Sequence, residues 1–366
     1  MRIDQVLPSF QPYDAISTDA WLLRELIREQ QISSELFTEL TNLGGETENF
    51  QKLRQVKDRD HIIIYHHSIG SRIPYFLQDI PARKIIRYHN VTPHHYFRNA
   101  WSRNTYFRCF EGRSQLPMLR SLSDTVWSTS AYNLHELRDF NFPHQRILPV
   151  LRHYQQLAEL KDCPETTALI KNRSCKNLLF VGRVVPHKGH HDLFFFLALL
   201  RRYCQKDLRL FCIGSESSAA HRQQLAELAE FLGLSISFAA STVRDYHRDI
   251  VFVSGVDDRR LASFYRQAEV FFNLSDHEGF CVPLVEAMFF GLPLVVQNSA
   301  AIPETVREGG LIVDKADPVA TLLALEGVLN DPLRNQLSRQ VSWQRGQAFA
   351  WKNLESQVKD CLQTLR

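Results

Sequence analysis

Short apolar runs alternate with amphipathic stretches along most of the chain, a pattern typical of βα units built around parallel sheets. Apolar residues recur at helical spacing between these runs, for example in Ser17–Glu29 and His221–Leu232. The predicted strands are Ile62–Tyr65, Lys84–Tyr88, Thr125–Ser128 and Arg146–Leu148 in the first half, and Asn177–Val181, Leu208–Ile213, Ile250–Val253, Val270–Leu274 and Leu294–Val296 in the second. The pattern predicts an α/β fold with doubly wound sheets.

The length of 366 residues favours two domains, because a single hydrophobic core stops growing below this size. The polar segment Leu157–Lys176 contains no clear strand and is interpreted as the linker. We therefore predict an N-terminal domain over residues 1–160 and a C-terminal domain over 174–346. The last segment, 347–366, has helical spacing of its apolar residues, and we expect it to join the first domain.

Composition argues against a nucleic-acid-binding protein, a disulfide-stabilised protein and a membrane-spanning protein. The formal net charge is only +3, so the molecule as a whole gives no argument for nucleic-acid binding. The seven cysteines contain no C-x-x-C pair, which favours reduced thiols and a cytoplasmic location. The longest apolar run, Leu193–Leu200, is far shorter than the about twenty residues of a membrane-spanning helix. The N-terminus also lacks the pattern of a signal peptide.

The segment from Glu278 to Pro293 carries most of the functional information. A predicted strand precedes it and another follows it; Pro283 suits the first turn of a helix, and Gly291 with Pro293 ends that helix. Glu278 is therefore expected on the loop before the helix, and Glu286 in about its first turn. The backbone amides at this helix start could face an anion, because the helix dipole favours negative charge there. They belong to Gly279, Phe280, Cys281 and Val282.

Carboxylates accept hydrogen bonds from vicinal hydroxyls such as those of a ribose or a hexose. Two glutamates on either side of a phosphate-binding helix start could hold the two sugars of a nucleotide-sugar. The alternative is that Glu286 complements the helix dipole and Glu278 is a solvated loop residue. The strand–loop–helix–strand context favours the ligand-binding interpretation.

This segment resembles the E-x7-E motif of retaining glycosyltransferases of the GT-B fold, and most closely glycosyltransferase family 4. Phe180-Val-Gly-Arg183 with Lys188-Gly189 is similar to the G-R…K-G element of that family. Ile302-Pro-Glu304 and Gly310–Asp314 are similar to its segment after the motif helix. The resemblance implies two Rossmann-like domains that face each other across a cleft. Cys281 is a departure, since many members have glycine there.

The resemblance also implies roles for individual residues. Glu278 would contact hydroxyls of the donor sugar, and Glu286 would bind the ribose. Arg183 and Lys188, with Gly182 in the same loop, would hold the diphosphate, where cations stabilise the leaving charge. The family places a histidine like His89 against the donor sugar.

The loop Gln11–Ser17 takes the place of a glycine-rich loop that family members often have there. Asp14 and Ser17 are candidate donor contacts in this loop, but capping of the first helix by Ser17 is the favoured interpretation of that serine.

Three histidine pairs, His66-His67, His94-His95 and His190-His191, raise the possibility of a metal site. Adjacent side chains on a strand point apart, and no third ligand has suitable spacing, so no metal is predicted. No cofactor is expected besides the nucleotide-sugar co-substrate, with a UDP-sugar favoured.

Between Arg83 and Arg120 there are eight Lys or Arg, one acid, Glu111, and many aromatic residues. This composition suits peripheral contact with an anionic membrane or a lipid-linked acceptor, and it also suits an ordinary basic surface.

The family resemblance implies metal-independent transfer of a hexose with retention of anomeric configuration, to a glycan or lipid-linked acceptor in polysaccharide biosynthesis. UDP-glucose or a related UDP-hexose is the first expectation for the donor and GDP-mannose the second. Three alternatives stay open: a metal-dependent transferase using Asp58-Arg-Asp60, a nucleotide-sugar epimerase with two similar domains, and a non-catalytic scaffold that binds sugar nucleotides.

Overall fold

A computed structural model describes residues 1–12, 14–40, 46–98, 103–204, 207–215, 218–238 and 240–365. Parts of three predicted features lie outside these residues: 99–102 of the basic aromatic segment, Tyr13 of the loop before the first helix, and Arg366. The chain divides into two compact units, Met1–Arg152 with Trp351–Arg366, and His153–Ala350. No helix in the described parts of the chain is both long and apolar enough to cross a membrane.

The first unit is built on a parallel sheet of seven strands in the order β3-β2-β1-β4-β5-β6-β7. Its strands are β1 Arg2–Ser9, β2 Leu36–Leu40, β3 Glu48–Asn49, β4 His61–His67, β5 Arg83–Tyr88, β6 Thr125–Ser128 and β7 His144–Ile147. The strand order reverses between β1 and β4, and ligands of such sheets bind beyond the strand ends at this switch point. All seven residues of β4 are buried, as expected for a central strand covered on both faces.

Helices of the first unit cover this sheet. They are α1 Ala15–Glu29, α2 Ile73–Leu77, α3 Arg103–Ser114, α4 Leu116–Leu122 and α5 Ala131–Glu136. Asp14, not Ser17, caps α1: its carboxylate accepts from the Ser17 backbone N–H at 2.9 Å and from the Ser17 hydroxyl at 2.9 Å. Asp14 has the extended backbone of an N-cap residue, whereas Ser17 already lies inside the helix.

The second unit has a parallel sheet in the order β10-β11-β9-β8-β12-β13-β14. Its strands are β8 Lys176–Val181, β9 Leu208–Ile213, β10 Ile236–Ser237, β11 Ile250–Val253, β12 Val270–Asn273, β13 Leu294–Gln297 and β14 Leu311–Val313. The order reverses between β8 and β12, which are the strands that precede Arg183 and Glu278 in the sequence. The two sheets confirm the predicted α/β class.

The helices of the second unit pack on both faces of this sheet. They are α6 Tyr154–Glu159, α7 Pro164–Lys171, α8 His190–Tyr203, α9 Ala219–Phe231, α10 Val243–Tyr246, α11 Asp258–Gln267, α12 Val282–Phe289, α13 Ile302–Val306, α14 Pro318–Asn330 and α15 Pro332–Gly346. The predicted linker Leu157–Lys176 is not a linker, because α7 and part of α6 lie within it and both belong to this unit. The first unit accordingly ends at Arg152 instead of residue 160.

The last helix, α16 Trp351–Gln363, belongs to the first unit and packs against α1. Its buried residues are Leu354, Val358, Cys361 and Leu362, which lie on one face at helical spacing. Residues 347–349 form a short 3₁₀ turn in the second unit, so the helix begins four residues later than the 347–366 segment predicts.

The buried histidine His67 makes the stability of the first unit depend on pH. Its Nε2 donates to the Gly112 carbonyl at 2.9 Å, and burial lowers the pKa of its imidazole to about 4. In the unfolded chain the pKa of histidine is about 6.5. Between these two values the unfolded state binds the additional proton, so its free energy falls relative to the folded state as the pH is lowered.

We expect the free energy of unfolding to decrease as the pH falls from about 6.5 towards 4. His67→Gln removes one titrating group and keeps an amide donor for Gly112, so its stability curve should be flatter over this range. Urea denaturation at a series of pH values measures both slopes. His247→Gln, at an exposed position, is the control and should keep the wild-type slope. Equal slopes for all three proteins would contradict the assignment.

Candidate active site

The loop between β8 and α8 is held against the end of β12. The His187 carbonyl accepts from the Asp276 N–H at 2.8 Å. Gly189 has φ +69, and a Cβ there would lie 2.2 Å from the Leu274 carbonyl oxygen. Only glycine allows the two chain segments to approach this closely. The loop that contains Lys188 is therefore positioned beside the loop that contains Glu278.

Lys188 and Glu278, which are 90 residues apart in the sequence, form an ion pair in this loop region. The Lys188 ammonium donates to Glu278 Oε1 at 2.6 Å, and the two side chains are 14% and 9% exposed. Arg183 follows the end of β8 in the same loop and is exposed. The structure thus brings Lys188 and Glu278 together at the switch point of the sheet. The motif predicts that Lys188 binds the diphosphate of a donor and that Glu278 binds its sugar.

Glu286 lies inside α12 and is 4% exposed. The Tyr265 hydroxyl, from α11, donates to Glu286 Oε2 at 2.7 Å and orients the carboxylate. Tyr265 is a residue that sequence reasoning missed, because the regular apolar pattern of α11 gives no sign that its hydroxyl reaches the next helix. The two motif glutamates therefore have different partners, an ammonium group for Glu278 and a phenol for Glu286.

Cys281 is the N-cap residue of α12 and adopts a left-handed conformation with φ 69. This conformation suits the glycine that the family resemblance implies at this position. Its thiol accepts from the Asn273 side-chain amide at 3.5 Å. Burial raises the pKa of this thiol well above its usual value, so the group is neutral.

Lys315 is a further cation near these loops, and sequence reasoning missed it. Its ammonium lies 2.6 Å from carboxylate oxygens of both Asp192 and Asp276. Burial alone would lower the pKa of Lys315, but the two carboxylates raise it above its ordinary value. Lys315 is therefore charged, and it links the start of α8 to the loop after β12.

In the first unit, His89 follows β5 and its side chain is only 3% exposed. Its Nε2 lies 2.9 Å from His66 Nδ1 and 3.7 Å from Asp19 Oδ2. Burial lowers the pKa of His89 well below its ordinary value, despite the nearby Asp19 carboxylate. His89 is therefore a neutral imidazole.

Asp19 is fully buried and forms an ion pair with Arg87, at 2.8 Å between Oδ1 and the guanidinium Nη2. Burial alone would raise the pKa of Asp19, but Arg87, with smaller effects of His89 and His66, lowers it below the ordinary value. Asp19 is therefore ionised and its charge is balanced within the fold.

Asp19, His66 and His89 are also the one group among the described residues whose side chains could together hold a metal ion. Sequence spacing could not reveal this group, because its members come from α1, β4 and the end of β5. The atoms that face one another are already engaged: Arg87 donates to both oxygens of Asp19, His66 Nδ1 lies 2.9 Å from His89 Nε2, and His66 Nε2 lies 2.8 Å from Gln5 Oε1. These contacts leave little ligand capacity for a cation.

The predicted basic aromatic segment is used largely for internal contacts. Six of its cations bond to groups of the first unit: Arg83, Lys84, Arg87, Arg108, Arg113 and Arg120. Arg98 and Arg103 are exposed, and on α3 the side chains of Phe107 and Phe110 are 60% and 51% exposed. Asp58 and Asp60 form an exposed turn before β4, in which Asp60 N–H donates to the Asp58 carboxylate.

Comparison with known proteins shows which family the second unit resembles. The family described as glycosyl transferases group 1 matches residues 168–342, which contain Arg183, Lys188 and both glutamates. A D-inositol 3-phosphate glycosyltransferase of Corynebacterium urealyticum is 32% identical over 197 residues, which is 52% of this chain and 44% of the relative. The match therefore spans less than half of that relative.

Solved structures with the same fold match the whole chain. Sucrose-phosphate synthase from Thermosynechococcus elongatus covers 100% of this chain, and 99% of its own length is matched, with a TM-score of 0.75 and 17% identity. Anabaena HepE, solved in complex with UDP-glucose, also has a TM-score of 0.75, with 13% identity and full coverage of both chains. At this identity the likeness concerns the fold. The chain thus has the GT-B architecture, and its residues 168–342 are similar to the group 1 glycosyl transferases.

Proposed function

We propose that this protein is a retaining, metal-independent hexosyltransferase that uses a nucleotide-diphosphate sugar. The observation that carries the proposal is the Lys188–Glu278 ion pair at the switch point between β8 and β12. An ammonium group and the exposed Arg183 guanidinium can together bind a diphosphate and stabilise the charge that develops on it when the sugar leaves. Glu278 and Glu286 then bind hydroxyls of the transferred sugar and of the ribose.

Retention is proposed from the family resemblance, and the carboxylates argue against a glycosidase. A glycosidase needs two carboxylates that flank the scissile bond. Here Lys188 binds Glu278 and Tyr265 orients Glu286. With these different partners, the two carboxylates would bind opposite ends of one donor. The acceptor would attack from the face that the diphosphate leaves, and the departing phosphate would take the acceptor proton. Gly182 and the amides of Gly279, Phe280, Cys281 and Val282 would contact the diphosphate.

For the donor we propose a UDP-hexose, with UDP-glucose first and GDP-mannose second. The GT-B fold is shared with a protein solved with UDP-glucose, which supports this order without fixing the base. For the acceptor we propose a glycan or a lipid-linked sugar of polysaccharide biosynthesis in the cytoplasm. D-Inositol 3-phosphate is a second acceptor to test, because it gives the bacterial relative its name.

We propose that His89, in the first unit, binds a hydroxyl of the donor sugar. Asp14 and Ser17 bond to each other at the start of α1, so their side chains serve the helix cap first. The exposed Asp58–Asp60 turn lies at the amino end of β4, the edge of the sheet at which such folds do not bind ligands. This position argues against the metal-dependent alternative.

A transfer assay with labelled sugar nucleotides tests the proposal. We expect hexose transfer to an acceptor in the presence of EDTA, and the product should keep the anomeric configuration of the donor when examined by NMR. Loss of activity on chelation, or an inverted product, would refute the corresponding part of the proposal. Epimerised donor without acceptor would favour an epimerase, and tight binding without any turnover would favour a scaffold.

Substitutions at the donor site should separate binding from transfer. Glu286→Ala should raise the dissociation constant of the sugar nucleotide by about tenfold to a hundredfold, because the ribose hydroxyls lose a charged acceptor. Arg183→Ala and Lys188→Ala should mainly slow transfer, each raising the barrier by about 2–4 kcal/mol. Calorimetric titration measures the first effect, and single-turnover kinetics measures the second.

Matched controls for these variants lie elsewhere in the same unit. Glu308 and Arg244 are exposed residues outside the β8–α8 and β12–α12 loops, and Glu308→Ala and Arg244→Ala should leave both measurements unchanged. Wild-type kinetics in Glu286→Ala, Arg183→Ala and Lys188→Ala together would refute the site.

We further propose peripheral contact with an anionic membrane through the exposed side of α3. Arg103, Phe107 and Phe110 lie on that side at helical spacing, a combination suited to an interface with lipid head groups. Phe107→Ser with Phe110→Ser should reduce co-sedimentation with phosphatidylserine-containing liposomes. Tyr203→Ser, at another exposed aromatic residue, serves as the control. Wild-type binding that is absent, or independent of anionic lipid, would contradict the proposal.

A further inference from the structure

A chain of hydrogen bonds crosses the switch point of the first sheet and ends at His89. Gln5 lies on β1 and His66 on the neighbouring strand β4, and both are fully buried. Gln5 Nε2 lies 3.0 Å from the Ala20 carbonyl oxygen, and Gln5 Oε1 lies 2.8 Å from His66 Nε2. His66 Nδ1 lies 2.9 Å from His89 Nε2. The two imidazole rings are within 15° of parallel.

The Ala20 carbonyl sets the direction of every bond in this chain. A carbonyl oxygen can only accept, so the Gln5 amide nitrogen must face it and the Gln5 oxygen must face His66. That oxygen also only accepts, so His66 carries its hydrogen on Nε2. A neutral His66 then accepts at Nδ1, and the donor to it must be His89 Nε2–H.

Neutrality of His66 is required for this assignment, and its surroundings support it. Burial lowers the pKa of His66 to about 4, against the opposing effect of Asp19. The charged groups that face it are Asp19, with Oδ2 at 3.9 Å, and Arg87, which is paired with that carboxylate. Since Arg87 balances the charge of Asp19, no net negative charge favours a second proton on His66.

The remaining nitrogen of His89 determines what this residue can bind. With a hydrogen on Nε2, a neutral His89 carries a lone pair on Nδ1. None of the residues that the structure describes forms a hydrogen bond with this Nδ1, and His89 directly follows the end of β5. Ligands of doubly wound sheets bind beyond such strand ends.

We propose that Gln5 and His66 are positioning residues that hold His89 as its Nε2–H tautomer, so that His89 Nδ1 accepts a hydrogen bond from a substrate hydroxyl. The assignment of a substrate hydroxyl rests on the proposed transferase function, whereas the tautomer does not. A hydroxyl can donate to Nδ1, whereas a phosphate or carbonyl oxygen would meet its lone pair and be repelled. His89 therefore selects a sugar hydroxyl and disfavours the diphosphate.

The tautomer can be measured without any turnover. In protein labelled with ¹⁵N-histidine, long-range ¹H–¹⁵N correlation spectra at neutral pH distinguish protonated from unprotonated ring nitrogens, and His89→Gln identifies the signals of His89. We expect a protonated Nε2 and an unprotonated Nδ1. Gln5→Leu removes the acceptor of His66 and should give a mixture of His89 tautomers, whereas Gln5→Glu places a carboxylate beside His66, favours a second proton on it and should move the hydrogen of His89 to Nδ1.

The control is His61→Gln. His61 lies at the other end of β4 and bonds to Asp4 at 2.9 Å, so its loss should leave the His89 signals unchanged. A protonated Nδ1 on His89 in the wild-type protein would overturn the proposal, and so would an unchanged tautomer in folded Gln5→Leu protein. Addition of one equivalent of Zn²⁺ is a further test, because coordinated His66 and His89 nitrogens would overturn it in favour of a metal site.

Kinetics test the substrate part of the proposal. Gln5→Leu should lower kcat/KM by about tenfold, the effect of one misdirected hydrogen bond, and Gln5→Glu should lower it at least as much. A donor that lacks the contacted hydroxyl should react equally slowly with wild-type and Gln5→Leu protein. The predicted tautomer together with no transfer to any acceptor would support the positioning roles and refute the transferase function, so the two failures are distinguishable. Equal kcat/KM in folded Gln5→Leu and wild-type protein would overturn the substrate part.

Discussion

The buried ion pair between Asp19 and Arg87 is the interaction on which the first unit depends. It joins α1 to the central strand β5, and Arg87 also donates to the carbonyls of Leu148 and Pro149 in the segment after β7. Asp19 accepts from the Leu151 N–H at 2.8 Å. A buried pair of this kind is tolerated only when its remaining hydrogen-bonding groups are satisfied, as they are here. The same carboxylate lies beside His66 and His89, so one polar network both fixes the fold and supports the proposed site.

The second unit satisfies its buried charged groups in a different way from the first. Its buried Arg209 has no carboxylate partner among the described residues and is bound by the Asn177 side chain and by the carbonyls of Tyr246 and Ile170. The charges at its switch point are instead paired close to the loops, as Lys188 with Glu278 and Lys315 with two aspartates. Ion pairs thus lie in the loops at this switch point, which suits the binding of the charged donor that we propose.

Much of the fold could be predicted from the sequence where the apolar runs are continuous. The strands Thr125–Ser128 and Ile250–Val253 were predicted with the bounds that the structure has. Strand β1 was missed because Asp4 and Gln5 interrupt its apolar pattern, although both are buried and bonded. Strands β3 and β10 have only two residues each, and β14 exposes Leu311 and Ile312, so none has a recognisable pattern.

The candidate site shows the same limit. A local motif reveals Glu278, Glu286, Arg183 and Lys188, because their spacing reflects one strand–loop–helix unit. Their partners, such as Tyr265, come from other elements, and only the packing of helices and strands brings them near. A polar residue inside an apolar run is the one signal that could have found Gln5, because a buried amide requires a partner.

The close contact between Lys188 and Glu278 has a consequence for the divergence of this protein. Glu278 is only 8% exposed. A substitution that removes Lys188 would leave this nearly buried carboxylate without its cation and lower the free energy of unfolding by about 3–5 kcal/mol. Loss of Glu278 in turn leaves an ammonium group in the same confined place. Selection therefore acts on the two positions together, because the loss of either charge leaves the other without its partner.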